Sequence, residues 1–488
     1  MASSLGLWCS VENTNASRFR KEYVGRHHWG RVIINSAAMG IVIVALSTTD
    51  GYGASRMHPR NATTSVLPTV PVVATRGALD PTCAGGRAVV FPGPGPSSGG
   101  TPFIVATSLA KGVLVVAMSP GGGSGSTIEL RSFDANCEPN DAFGDRGVES
   151  FVPMIRHRPV QSLAITSITP ALGGGVILVG YDQAGGLVGR IDSNGIVDKG
   201  FGTEGWTEIP SLLETGPVMQ EPSGRIVVAG QTDGNLVWPD WVVALSSTGS
   251  VEQNFGSKGR AAIPAYHDAS IESLASEPNG VIVAFTAGGN MGCWGSTLHA
   301  VTSSGSVDQE FDRHMQQAFP GRFGQPPFDA GLVIQGSRIL MIGTSQPTCV
   351  QQTLDSHATG RAVAFNAKGQ LDSTFGADGE VYFKSAMQQP VAVLPGLDHG
   401  WFLVDEPPIY QSQAPSQTVL NVVSLKASAR INPRFASGGR ASVQLPTLGE
   451  NELFSFLSPV TASVGHAVAL IVAAAGGKNL MLFRVGHQ

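Results

Sequence analysis

Charge is scarce in this sequence: Asp, Glu, Lys and Arg supply 14% of its 488 residues, and 36 acids against 31 bases leave it at −5. So low a charged fraction excludes a disordered or coiled-coil chain, and the acidic balance excludes a basic nucleic-acid binder. Helix signals are scarce too. No segment of ten or more residues keeps a helical period, so no helix is expected. Motifs for chemistry are also missing: there is no His-Glu-x-x-His, no phosphate-loop lysine and no dinucleotide fingerprint. Gly95-Pro96-Ser97-Ser98-Gly99 spells a nucleophile elbow, but Gly-Gly-Thr-Pro follows where the elbow needs a helix, so it reads as a linker. What is abundant is glycine, 62 residues beside 31 prolines, in a chain that is 42% hydrophobic. That composition suits two to four ordinary domains, or one large repetitive domain with a long continuous core.

The first fifty residues differ from the rest. Arg18, Arg20, Lys21, Arg26 and Arg31 precede an apolar run over 32–46, VIINSAAMGIVIVAL. A positive flank before an apolar run of about fifteen residues has the layout of an export signal, and is shorter than the ~20 residues of a spanning helix. Residues 1–49 are therefore expected to be a signal peptide or, if uncleaved near Ser47, a signal anchor. Residues 50–77 are rich in Thr, Pro, Ser and Gly and read as a linker. Without the segment through Arg60 the balance falls to 24 bases against 33 acids.

From residue 78 a single unit recurs. IDSNGIVDKGFGTEGWTEIP, LSSTGSVEQNFGSKGRAAIP and FNAKGQLDSTFGADGEVYF share a turn, an acid, Phe-Gly, a second Gly and a short strand. The anchor phenylalanines are Phe143, Phe201, Phe255, Phe311, Phe375 and Phe435, with Cys83 in the equivalent place of a seventh, degenerate copy. Their separations of 60, 58, 54, 56, 64 and 60 residues mark a repeat. Each period holds four short β-rich runs punctuated by Gly and Pro, the pattern of a β-propeller blade. The last unit has three strands and no anchored fourth, while the copy at Cys83 has an anchored strand and nothing before it. Joining the two completes a ring of seven four-stranded antiparallel blades over 78–488 and removes an open sheet edge.

The Leu-Asp-x-x-Phe-Gly-x-x-Gly run, cleanest as LDSTFGADG at 371–379, resembles the delta-60 repeat of bacterial surface and secreted proteins, and its strand layout is similar to NHL-type propellers. The resemblance implies a propeller fold and extracytoplasmic placement, and carries no reaction. Asp312 and Met315 stand where the glycines after Phe311 should be, and Ala436 where the first glycine after Phe435 should be.

The position three before each anchor is always polar: Asp80, Asn140, Asp198, Glu252, Asp308, Asp372 and Asn432. Calcium ligation is one reading, but recurrence in every blade favours turn caps that accept from backbone N–H groups. Cys83, Cys137, Cys293 and Cys349 form an even set for oxidation after export. Their register favours Cys83–Cys137 and Cys293–Cys349, with a metal site as the alternative. No metal or other cofactor is expected.

Loop length is the asymmetric signal. On one face the connections swell in blades three to six, QTDGNLVWPD, TAGGNMGCWGST, TSQPTCVQQTLDSHATG and DEPPIYQSQAPSQ, joined by HMQQAFPGRFGQPPFDAG. They carry Trp238, Trp241, Trp294, His314, Arg322, His357 and Tyr410, residue types suited to recognition on a rigid scaffold. Along the inner strands only Glu272, in blade four, is an obvious acid. The expectation is an exported, monomeric, non-enzymatic propeller that binds an envelope protein or glycan on this face. It would touch no nucleic acid and no membrane beyond its N-terminal segment. The alternatives are an extracytoplasmic propeller enzyme of hydrolase, lyase or quinoprotein type at the channel mouth, and a purely structural module.

Overall fold

The computed structural model describes residues 67–486 apart from connecting segments, the longest being 95–102, 120–126, 233–239, 319–327, 346–358, 406–418 and 446–459. The export segment and the Gly95 to Gly99 stretch lie outside the described residues. The chain folds as a seven-bladed β-propeller of antiparallel blades, as the repeat predicts. The first strands of the blades, Phe103–Ser108, Ala164–Pro170, Glu214–Gln220, Ala269–Ser276, Phe328–Gln335, Pro390–Pro395 and Val460–Val464, touch one another in order and close a ring around the channel.

Because each blade is covered on both faces, its second strand reads as a continuous apolar run. Leu114–Ser119 is buried throughout, as is Trp401–Asp405. The core is accordingly not one centre. It consists of seven hydrophobic layers, one at each junction between neighbouring blades.

The ring closes as the strand count requires. Ala88–Pro92 pairs antiparallel with Asn479–Gly486, Val89 opposite Leu482 and Phe91 opposite Leu480. Two further short strands fall in the stretch expected to be linker: Thr69–Val70 adds outside Ala88–Pro92, and Val73–Ala74 pairs with the outer strand of blade six. The closure is reinforced by a buried ion pair. The Arg484 guanidinium donates to Asp80 Oδ2 at 2.8 Å, to Thr82 Oγ1 at 2.5 Å, and to the Ala135 carbonyl of blade one at 2.7 Å.

That arrangement is one copy of a general device. Asp80, Asn140, Asp198, Asp308, Asp372 and Asn432 each accept from the backbone N–H two residues on, as turn caps should. The acids do more than cap: Arg190 binds Asp198 and the Ser247 carbonyl of the next blade, Arg225 binds Glu252 and the Ser303 carbonyl, and Arg338 binds Asp372 and the Ala427 carbonyl. Each arginine thus ties a blade to its neighbour. Where the capping residue is Asn, its amide donates to a serine instead, Asn140 to Ser132 and Asn432 to Ser424.

The anchor rings are buried, Phe201 and Phe375 completely, and they rest against the next blade's turn. At Gly195 and Gly369 an added Cβ would lie 3.0 Å from the rings of Phe143 and Phe311, so only glycine leaves room there, and both glycines take positive φ. Cys83 occupies the anchor position and Cys137 the turn position at the closing junction, and they form the expected disulfide. A covalent bond therefore replaces the ring-on-glycine contact where the two ends of the chain meet. The neighbouring backbone bond is retained: Ala84 N–H donates to Asn136 O as Gly144 N–H does to Asn194 O. Cys349 and the side chain of Cys293 lie outside the described residues.

Blade four departs from the four-strand pattern. Three strands are described there, and Gln309–Ala318 is an α-helix in place of the outer strand, which corrects the expectation of no helix. The turn after the anchor elsewhere needs positive φ, as at Gly202 (+54°) and Gly205 (+97°). Asp312 and Met315 replace both glycines; where only the first is lost, as at Ala436, the turn survives, but with Met315 in place of the second the positive-φ step has no suited residue and the chain continues helically instead. Asp308 then serves as the helix cap, accepting from Glu310 and Phe311 N–H. Phe311, His314 and Met315 make the buried face, at i, i+3 and i+4.

Candidate functional site

Five consecutive inner strands, those of blades two to six, carry a bulge near their start. The extra residues are Thr166, the pair Gly216 and Pro217, Glu272, Ala330 and Val391. A bulge re-aims the side chain it carries, and here the set recurs at one level near the long-loop mouth of the channel. Glu272 is the one ionisable residue of that set. Gly216 brings blades three and four together, since an added Cβ would sit 3.2 Å from Ile271 O.

A second carboxyl stands beside Glu272. Asp240 opens the third strand of blade three, paired in register with Gln231, which itself pairs with Glu214 of the inner strand. Asp240 is 4% exposed and accepts from the Gln231 side chain and from Ile271 N–H of blade four, while its Oδ2 has no partner. Burial pushes its carboxyl up to about 7; the Glu272 charge adds to the rise, and the two hydrogen bonds oppose it. Glu272 remains open to water, yet channel wall surrounds it closely enough that burial raises its pKa too, opposed by the Ser270 hydroxyl that donates to Oε1 at 2.5 Å. Tyr181, at the end of blade two's second strand, is pushed up to about 12 by burial and then by the charge of Glu214. Tyr181 and Glu214 thus lie near each other at the junction of blades two and three, and Asp240 and Glu272 at the junction of blades three and four. None of the ion pairs among the described residues involves Glu214, Asp240 or Glu272.

The residues named from the loops are placed less uniformly. Trp241 is half-buried between blades two and three, stacked under the Arg260 guanidinium at 4.4 Å and donating its Nε1–H to Thr232. His314 is buried in the helix, within 2.7 Å of Lys368 O through Nδ1. Trp294 pairs with Gly289 in backbone register: TAGGNMGCWGST is largely strand, Ile282–Asn290 and Cys293–Val301, rather than a long loop. Trp238, Arg322, His357 and Tyr410 lie outside the described residues. Asp240 escaped sequence reading because it belongs to a third strand of the neighbouring blade; its signal was an acid between two tryptophans, WPDW, where a strand begins.

A cavity of about 380 Å³ opens on the opposite face between blades five and six, lined by Arg338, Asp372, His399 and Trp401 among others. Arg338 there is spent on Asp372, Thr374 and the Ala427 carbonyl, so its charge is committed to the junction. The described residues gather no group of three or more His, Cys, Asp or Glu that could hold a metal ion. No described helix is long and apolar enough to cross a membrane. The disulfide is that of a domain in an oxidising, extracytoplasmic environment.

No family model matches the chain, and no curated protein matches it. Among solved structures it is similar to virginiamycin B lyase from Staphylococcus aureus (11% identity, 81% of this chain and 98% of that one, TM-score 0.41). It is similar also to the polysaccharide lyase Uly1 (8%, 80% and 90%, TM-score 0.44) and to the PQQ-bound aldose sugar dehydrogenase of Streptomyces coelicolor (13%, 66% and 93%, TM-score 0.38). Identities this low transfer no activity. They do correct the expectation that the chain is not an enzyme: its neighbours on the propeller fold include two lyases and a dehydrogenase, so the exclusion of catalysis does not stand.

Proposed function

We propose that this chain is an exported propeller of delta-60 type that binds a protein or glycan at the cell envelope, with the ligand seated at the channel mouth on the long-loop face. The observation that carries this reading is the exposed Glu272 on the inner-strand bulge at that mouth, beside the buried Asp240 of the adjacent blade. Glu272 is exposed to the channel there, so its carboxylate is open to a polar ligand. The basic flank and apolar run of the first 46 residues, together with the disulfide, support export. Capture from a glycan array and from solubilised envelope proteins, wild type against Glu272→Gln in the full chain, tests the mouth. Loss of capture in the variant is expected; unchanged capture moves the site to the outer loops. Recovery of the protein from soluble cytoplasm alone removes the export reading.

A second reading rests on Asp240 itself. A carboxyl titrating near neutrality beside a second one is the arrangement that general acid–base chemistry uses. Turnover of a captured glycan that Asp240→Asn abolishes without loss of binding would establish an enzyme at this mouth.

A further inference from the structure

Blade six departs from its neighbours at two positions, and both line the cavity of about 380 Å³ between blades five and six. The turn before the second strand holds a glycine in the left-handed region in blades two, three and four, at Gly174 (+99°), Gly224 (+93°) and Gly280 (+79°). Blade six has His399 there, at φ +58°. A non-glycine residue in that region is strained, and the strain persists only where the surroundings impose it. Gln335 of blade five supplies the constraint: with its carboxamide oriented as the two carbonyls require, it donates to His399 O at 2.6 Å and to Gly400 O at 3.1 Å. The second departure lies two residues on. Val176, Ile226 and Ile282 open the second strands of blades two to four, and Trp401 stands in their place. Its indole is 1% exposed and packs edge-on to Phe375 at 5.5 Å, but its Nε1–H has no acceptor. An aliphatic residue closes the equivalent junctions without an unmet donor.

Around this cavity the acceptors are spent and donors remain. Asp372 Oδ1 takes the N–H and hydroxyl of Thr374, its Oδ2 takes Arg338 Nε–H, and Asn366 Oδ1 takes the N–H groups of Lys368 and Gln370. A guanidinium has about five N–H donors, and Arg338 commits one each to Asp372, Thr374 and Ala427 O, so two are left over. Arg338 and Asp372 cancel each other's charge, so an anion gains little here. We infer that this cavity binds a neutral acyl carbonyl, of the acetamido kind, carried on a single sugar ring. The carbonyl oxygen accepts from the spare N–H groups of Arg338, whose side chain is 22% exposed, so the covered Trp401 N–H need not be reached. Ser337 and His399 are exposed, have no side-chain partner among the described residues, and can each donate to or accept from ring hydroxyls. Ala427 and the indole wall are apolar surface for the methyl. The volume suits one ring, at the small end of the range of about 300–1,000 Å³ for small-molecule sites. This site is on the face opposite the channel mouth and does not depend on it.

Full-length protein labelled with nitrogen-15 at tryptophan is titrated with N-acetylglucosamine, with glucose, which lacks the carbonyl, and with glucuronate, which carries a charge. The first sugar should shift the indole N–H resonance of Trp401, identified by its absence in Trp401→Phe, and the other two should bind about tenfold more weakly. His399→Gly installs the residue of blades two to four. It should keep or raise the urea midpoint, since the strain is relieved, and weaken binding about tenfold. Ser337→Ala, at an exposed turn, should keep the midpoint and weaken binding severalfold, while Glu272→Gln should leave it unchanged. Glucose or glucuronate bound as tightly as N-acetylglucosamine overturns the carbonyl assignment. No shift with any of the sugars, or equal binding by wild type, His399→Gly and Ser337→Ala, overturns the site. A lower midpoint in His399→Gly overturns it as well, because the histidine would then serve the fold.

Discussion

Replacing Asp240 by Asn should stabilise the propeller above neutral pH, although the residue is buried and hydrogen-bonded. Asp240 titrates near 7 in the folded protein, against an ordinary value of 3.8. Between those values the folded state keeps a proton that the unfolded chain has released, so stability falls as pH rises through the window. The loss is complete once pH passes the folded value. At about 1.4 kcal/mol for each pH unit separating the two values, the deficit reaches roughly 4 kcal/mol on the alkaline side. Asparagine has the same shape, can still accept from Ile271 N–H, and carries no charge against Glu272. Wild type and variant should therefore match near pH 4 and diverge steadily toward pH 8, with the variant higher. Urea midpoints taken at half-unit pH steps measure this, and midpoints are the proper comparison because a ring of this size need not unfold in one step. Parallel pH curves for the two proteins, or a variant weaker throughout, would refute the reasoning and show Asp240 to be ionised and paired in the folded state.

Three other outcomes follow from the ring. Arg484→Met leaves Asp80 buried without its cation and should cost about 3–5 kcal/mol, read as a fall in the denaturation midpoint at pH 7. Burial pushes Asp80 up, but the Thr82 hydroxyl and N–H with Arg484 hold it below its ordinary value of 3.8, so the pair's contribution is present above that value and lost as pH falls below it. Cys83→Ala with Cys137→Ala opens a 54-residue loop and should lose roughly 4 kcal/mol, whereas Cys83→Phe with Cys137→Gly restores the contact used at other junctions and should recover part of it; equal stability of the two double variants would contradict the equivalence. Removing residues 1–66 should leave thermal unfolding unchanged, while removing 1–93 takes away Ala88–Pro92, strips the edge of Asn479–Gly486 and should lower the transition sharply.

The sequence by itself determined the repeat, the blade count and the closure. Those follow from local rules that act alike in every copy: a capped turn, a ring against glycine, a short apolar strand. Even the one irregular blade was marked in advance by Asp312 and Met315, although what they would do was not; losing two positive-φ glycines turned a strand into the helix Gln309–Ala318. The Cys83–Cys137 pairing was legible because anchor and turn positions have fixed partners in neighbouring blades. Only the tertiary structure decided the site. Glu272 could be read as an inner-strand acid, but its bulge is a matter of register with Thr286 and Phe285, and Asp240 lies 32 positions earlier in another blade. Their proximity comes from Gly216 letting two inner strands approach, a contact between residues 55 positions apart that leaves no periodic trace. Trp241 shows the same limit in reverse: a tryptophan at a loop's end looks like an exposed anchor until the packing of blades two and three, and Arg260 across the strand, absorb it into the fold. Repeated positions are constrained by the blade and so speak through sequence, whereas a site is made where blades differ, and differences acquire meaning only once the blades are set side by side.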